Sequence, residues 1–358
     1  STGLYFASQM TRLRDAGIEV AWIRGNHDAA SQITRYLPLP DNVHELPVDR
    51  ARTKLFEARG LAVHGRGFAT RAVTENLAQS YPERISGLLN VGLLHTSVTG
   101  RPGHEPYAPC TLDGLRTKGY DYWALGHVHA REVLCEDPWV VFPGNLQGRH
   151  AKETGEKGAT LVEYSAGGIE SVTHRVLDVV RYVQVVVDLG TASGFESALE
   201  AVRERLAALA DGAQRRMQAV RVVLSGTTRA HAALRAKADD FAQNVRFAAV
   251  DVGGEDLWIE KVVWRTQPTF DAATLRDVPG ALGELTAAIE ALRGDEAALL
   301  ALAEAPLASF AQKLPAEARE RDDGVRPEDA RYLTAQLDEV RTLLLDRLLP
   351  SASGSEGV

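Results

Sequence analysis

Five side chains have types and spacing suited to chemistry: Asn26, His27, His95, His127 and His129. Imidazole nitrogen and amide oxygen are donors of intermediate softness, suited to manganese, iron or zinc. His127 and His129 are separated only by Val128. In an extended segment, residues i and i+2 point the same way, so both imidazoles can face one site. Asn26 and His27 sit in Gly25-Asn26-His27-Asp28, a turn in which adjacent side chains diverge, so that one can bind metal while the other faces substrate. Any one of the chain's 10 histidines, taken alone, reads as a surface or satisfied core residue. The ordered set at three strand ends points instead to a metal site.

The elements that must position these residues are short apolar runs, each ending at a polar cluster. Residues 18–23 end at Arg24-Gly25-Asn26, 61–63 at His64, 88–94 at His95-Thr96-Ser97, 120–125 at Gly126-His127, and 139–142 at Pro143-Gly144-Asn145. Runs of this length bounded by glycine or proline predict buried strands, and in layered α/β proteins ligands gather at strand ends. A helix is expected over 4–16 with Gly17 as its stop. Strands at 159–164 and 169–175 should form a hairpin and close a first domain at residue 178.

A second domain, 179–267, reads as a small α+β unit. It has strands at 182–187, 220–224, 245–250 and 257–264, a helix carrying Phe195, Leu199, Val202, Leu206 and Leu209, and another near 231–241. Beyond Gln267-Pro268 the chain is rich in Ala, Leu and Glu, predicting a C-terminal helical region over 268–350. Its last helix presents Leu333, Leu337, Val340, Leu344 and Leu348 on one face, and a flexible tail follows at 351–358.

The 358 residues are 45% hydrophobic, enough for one large core and smaller ones, and no apolar run reaches bilayer-spanning length. No secretory signal is evident. Two cysteines outside any CxxC pair argue against a disulfide framework or thiolate site, so a reducing cytoplasm is the expected location. The net charge of −8 argues against a nucleic-acid partner at first, but residues 281–358 hold 15 Asp and Glu against 8 Lys and Arg, which places most of the excess there. The remainder is near neutral and permits a local basic face.

Gly25-Asn26-His27-Asp28, Leu93-Leu94-His95-Thr96-Ser97 and Gly126-His127-Val128-His129 resemble the later signature motifs of the calcineurin-like metallophosphoesterases. Pro143 to His150, followed by Glu153-Thr154-Gly155-Glu156-Lys157-Gly158, resembles the SbcD-type DNA repair exonucleases, in particular their YhaO-like branch. The resemblance covers residues 1–178 well and the rest by layout. It implies a layered α/β metallophosphoesterase β-sandwich flanked by helices, with a small capping domain that grips DNA. It also implies two divalent ions, manganese by preference, with iron or zinc as alternatives, clamping the attacking and leaving oxygens of an in-line displacement. By resemblance Asn26, His95 and His127 would bind one metal and His129 the other. His27 would act as the catalytic residue beside the scissile phosphate, protonating the leaving oxygen.

The family's first two motifs, an Asp-x-His and a Gly-Asp whose carboxylate bridges both metals, are not found ahead of Asn26. The expectation is therefore an N-terminally truncated chain that binds metal weakly and catalyses poorly. Secondary candidates are His64, as a neighbour of the ligands, and Arg149 and His150, as phosphate contacts; a salt bridge from Arg149 to Glu153 or Glu156 competes with that role. His104 and Tyr107 could touch substrate from a loop. Arg203, Arg205, Arg215, Arg216 and Arg221 could track DNA phosphates, Trp258 and Trp264 read as core, and Cys110 and Cys135 as inert.

Three functions follow. The first is the DNA-end nuclease subunit of a double-strand-break processing complex, docking a coiled-coil ABC ATPase of the SbcC type through the last helix and forming a homodimer. The others are a small-molecule phosphodiesterase on the same fold and a non-catalytic interaction subunit.

Overall fold

The computed structural model describes residues 2–30, 38–98, 107–212, 216–269, 280–314 and 325–348. The chain divides into two compact units, Ser1–Tyr182 and Val183–Val358.

The first unit is organised by a six-stranded mixed sheet of order β3-β4-β5-β6-β8-β7. Its strands are β3 (Arg52–Phe56), β4 (Leu61–Gly65), β5 (Leu89–His95), β6 (Tyr122–Gly126), β7 (Glu132–Glu136) and β8 (Trp139–Phe142). β4, β5, β6 and β8 run parallel, while β3 and β7 pair antiparallel at the edges. Parallel strands covered on both faces need near-continuous apolar sequence, and these four supply it. Leu94, Trp123, Leu125, Val140 and Phe142 are buried in a core shared with Phe68, Leu77 and Leu115. Gly92 makes room for that core, since a Cβ there would lie 2.4 Å from the Trp123 ring.

Helix α1 (Thr2–Asp15) is followed by a parallel pair, β1 (Val20–Trp22) and β2 (Val43–Glu45). Gly17 ends the helix at φ 71°, as expected of a left-handed stop. The Phe68 and Gly67 amides donate to the Arg24 and Pro47 carbonyls, tying this pair to the end of β4. The expected hairpin is β9 (Gly158–Ser165) with β10 (Gly168–Val176).

The second unit has a three-stranded sheet, β11-β12-β13. The strands are β11 (Val180–Asp188), which crosses the unit boundary, β12 (Met217–Thr227) and β13 (Leu257–Gln267), with β12 and β13 parallel. Counting the two short first-unit helices at Asn26–Ala30 and Leu112–Arg116 as α2 and α3, the sheet carries α4 (Phe195–Asp211), α5 (His231–Ala236) and α6 (Ala238–Gly253). Val202, Leu206, Leu234, Phe241 and Val245 form their shared core.

Two expectations are corrected here. Residues 245–250 are not a strand but part of α6. Phe241, Val245, Ala248 and Ala249 are buried at helical spacing, and that packing outweighs the strand preference of the valines. Trp258 is not core but 56% exposed, because β13 alternates and Trp258 falls between buried Leu257 and Ile259.

Three further helices, α7 (Ala281–Gly294), α8 (Glu296–Lys313) and α9 (Ala330–Leu348), share a small core of Ile289, Leu299, Leu333 and Leu337. The stripe on α9 is therefore used in part within the chain, whereas Val340 is 46% exposed. No helix among the described residues is long and apolar enough to cross a membrane.

Candidate metal centre

Register brings the candidate residues together. His95, the last residue of β5, pairs with Gly126, the last of the parallel strand β6. The segment 127–129 therefore leaves the sheet beside His95. β8 is also parallel to β6, so Pro143–Asn145 emerges on the same edge, and the Asn145 amide donates to the His129 carbonyl at 3.1 Å. The link from Arg24 to Phe68 sets Asn26 and His27, the first residues of α2, at this edge too. Asn26, His27, His95, His127 and His129 all line one cavity of about 660 Å³.

His95 is the centre of the cluster. Its Nε2 lies 3.1 Å from Asn26 Oδ1, and its ring meets His127 at 5.2 Å and Phe68 at 5.0 Å between centroids, both edge-on. Two glycines let it fit, because a Cβ at Gly25 would stand 2.6 Å from His95 Cε1 and one at Gly126 would stand 3.0 Å from Nδ1. Burial lowers the His95 pKa to about 4, with help from His127, His27 and His129. The ring is thus neutral near pH 7, the form that ligates metal.

His127 has φ 104°, a region a side-chain-bearing residue rarely adopts. Such strain persists only where surrounding contacts impose it, and it concentrates at functional sites. Tyr107 packs on the His127 ring at 5.1 Å.

His129 is held differently. Its Nδ1 lies 2.8 Å from both Glu153 Oε1 and Arg149 Nη2, and the same Nη2 lies 3.2 Å from Nε2. In the neutral ring whose Nδ1–H donates to Glu153, the lone pair lies on Nε2, the more distant of the two Arg149 contacts. Burial lowers the His129 pKa, with Glu153 opposing, which is consistent with that neutral form. Glu153 also accepts from Asn145 Nδ2 and the Arg149 amide. Burial alone would raise the Glu153 pKa, but these donors outweigh it and bring the group to about 2.

The donors fit one ion better than two. Asn26 Oδ1 and His95 Nε2 are separated by 3.1 Å, about the edge of a coordination polyhedron with bonds near 2.1 Å. The His127 ring, 5.2 Å from that of His95, brings a third donor beside them. His129, by contrast, has both ring nitrogens engaged. Among the described residues no group of three or more His, Cys, Asp or Glu is placed to hold an ion, and the set around His95 reaches three donors only by including an amide.

The secondary candidates separate. His64 does not reach the cavity. It is fully buried on β4, bonded to Thr53 Oγ1 at 2.8 Å and Asn90 Oδ1 at 3.0 Å and stacked on Tyr120. Arg149 bonds Glu153, so the salt bridge prevails over a free phosphate contact, while Glu156 pairs with Arg181. His150 is exposed, with Nε2 3.7 Å from Glu153. Arg203 pairs with Asp251 and Arg221 with Glu260. His104 and Arg215 lie outside the described residues. Cys110 is buried beside Thr96, and burial raises its pKa, as an inert thiol requires. Sequence reasoning missed the organising role of Glu153 and the presence of Lys152 and Lys157 in the cavity wall. The spacing of four from Arg149 to Glu153 was the available signal.

Residues 182–267 match the family model described as the middle domain of metallophosphoesterase YhaO. The chain is 38% identical over 228 residues to the protein named "Uncharacterized metallophosphoesterase YhaO" of Bacillus subtilis, covering 63% of this chain and 55% of that protein. The chain is similar to the YhaO-like metallophosphoesterases. It is also 29% identical over 199 residues to "DNA double-strand break repair protein Mre11" of Sulfurisphaera tokodaii, covering 51% of this chain and 49% of that protein. It thus spans about half the length of these curated relatives. The first unit of this chain has a mixed α/β fold consistent with that of the calcineurin-like metallophosphoesterases.

Proposed function

We propose that this chain is a metal-dependent phosphodiesterase acting on DNA ends, the nuclease subunit of a break-processing assembly with a coiled-coil ABC ATPase of the SbcC type. The observation that carries the reading is the convergence of Asn26, His27, His95, His127 and His129 on one cavity at the C-terminal edge of a parallel sheet. The similarity to a protein named for DNA double-strand break repair supports the choice of substrate. For the ATPase, the support is the exposed Val340 on α9 and the acidic helical region that carries it.

In this reading Asn26, His95 and His127 would hold a divalent ion, manganese by preference, with His129 beside it toward a second. The ions would supply Lewis acidity toward the phosphoryl oxygens. His95 presents a neutral lone pair because burial suppresses its protonation. His27 lines the same cavity next to Asn26, where it would stabilise the developing negative charge and deliver a proton to the leaving oxygen.

The test is cleavage of linear duplex DNA by the full chain with added Mn²⁺. The His27→Ala variant should retain its fold and lose about 10²- to 10⁴-fold in rate, the usual contribution of a positioned acid. Turnover of a chromogenic diester with no action on DNA would move the assignment to a small-molecule phosphodiesterase. A second reading, a non-catalytic interaction subunit, is favoured by the engagement of His129 with Glu153 and Arg149. A folded protein that remains empty in excess manganese would establish it.

A further inference from the structure

Lys157 is the anomaly of the cavity. It lines the cavity wall yet is only 6% exposed. Lysine is almost never buried to that degree unless paired. Among the described residues its side chain makes no hydrogen bond or ion pair, and its ammonium is not among the buried polar atoms left without a partner, so it reaches solvent. The acid within the cavity wall, Glu153, is already held by His129, Asn145 and Arg149.

The backbone leaves this lysine little freedom to turn away. Its carbonyl accepts from both the Leu177 and Asp178 amides, at 2.9 and 3.2 Å. The next amide, Gly158, donates to the carbonyl of Asn145, itself a cavity residue. Gly158 has no room for a side chain, because a Cβ would fall 1.9 Å from the Arg175 carbonyl oxygen across the β9–β10 pair. The segment is pinned on both sides, which holds Lys157 at the cavity wall.

We propose that Lys157 is an anion-binding residue that grips a phosphate oxygen in this cavity. An unpaired ammonium at a cleft that also holds His95, kept neutral by burial, suits a phosphoryl group, which would meet it with a charge-assisted hydrogen bond. The identity of the substrate as a phosphodiester rests on the function proposed above; the anion site itself rests on Lys157.

The experiment uses inorganic phosphate and metal-free protein. Calorimetric titration should show phosphate binding to the wild type, binding weaker by about tenfold or more in Lys157→Met, and largely restored binding in Lys157→Arg, as expected for loss and return of one charge-assisted bond. In parallel, phosphate should protect Lys157 of the wild type from acetylation, read residue by residue by mass spectrometry, a measurement that requires no variant to fold. No phosphate binding by the wild type, unchanged binding in a folded Lys157→Met, or absence of protection at Lys157 would each overturn the assignment. If these results hold but the metal-loaded protein cleaves no phosphodiester, the anion site stands and the nuclease reading fails. If DNA is cleaved while phosphate ignores Lys157, the reverse is true.

Discussion

Arg149 Nη2 lies 2.8 Å from His129 Nδ1 and 3.2 Å from Nε2, and so covers the ring lone pair that a metal would need. Removing it should free that lone pair. Arg149→Ala is expected to bind divalent ions several-fold more tightly, roughly what one hydrogen bond to a charged group contributes; calorimetry with Mn²⁺ measures this, and weaker binding would contradict it. His64 carries a different consequence. Burial lowers its pKa and the Asn90 bond only partly offsets that. The folded protein therefore takes up a proton less readily than the unfolded chain, whose value is about 6.5. The stability supplied by neutral His64 is complete above that value and declines as pH falls below it. The drop in urea midpoint between pH 7.5 and pH 5 should be smaller in His64→Gln than in the wild type, and an equal drop would refute the assignment.

At the scale of elements, the site depends on parallel strands ending level and on glycines beside His95. An alanine at Gly25 would drive a methyl to 2.6 Å from the His95 ring. The ring must then move. Gly25→Ala is expected to lower metal affinity about 10- to 100-fold, the usual effect of disturbing the groups that orient a ligand; titration of metal with circular dichroism as a fold control decides it. The strands that bear the site were legible in the sequence because a parallel strand buried on both faces leaves an apolar run, as in Leu89–His95. The edge strand Arg52–Phe56 was not, since its exposed face admits Arg52 and interrupts the run. Residues 245–250 were misread because valine favours strands locally, while the burial of Phe241, Val245 and Ala249 together is a tertiary fact. Glu153 was hidden for the same reason: its meeting with His129, 24 positions away, is made only by the fold.

For the molecule as a whole, a net charge of −8 must be reconciled with the anionic substrate proposed above. The acid is concentrated in residues 281–358, whereas the cavity wall offers Lys152 and Lys157 against Glu153, already paired. Attraction for DNA should therefore be local and easily screened. Binding to duplex ends is expected to fall linearly on a log–log plot against salt, with a slope of about −0.9 for each phosphate neutralised. A salt-independent affinity, measured by anisotropy between low and physiological salt, would exclude electrostatic capture.

The φ of 104° at His127 has one more implication. Glycine adopts that backbone without penalty, so His127→Gly should raise the melting temperature even as it deletes a side chain the cavity depends on. Durability and chemistry are set against each other at this one residue, and a screen that selected only for heat tolerance would be drawn toward discarding the imidazole.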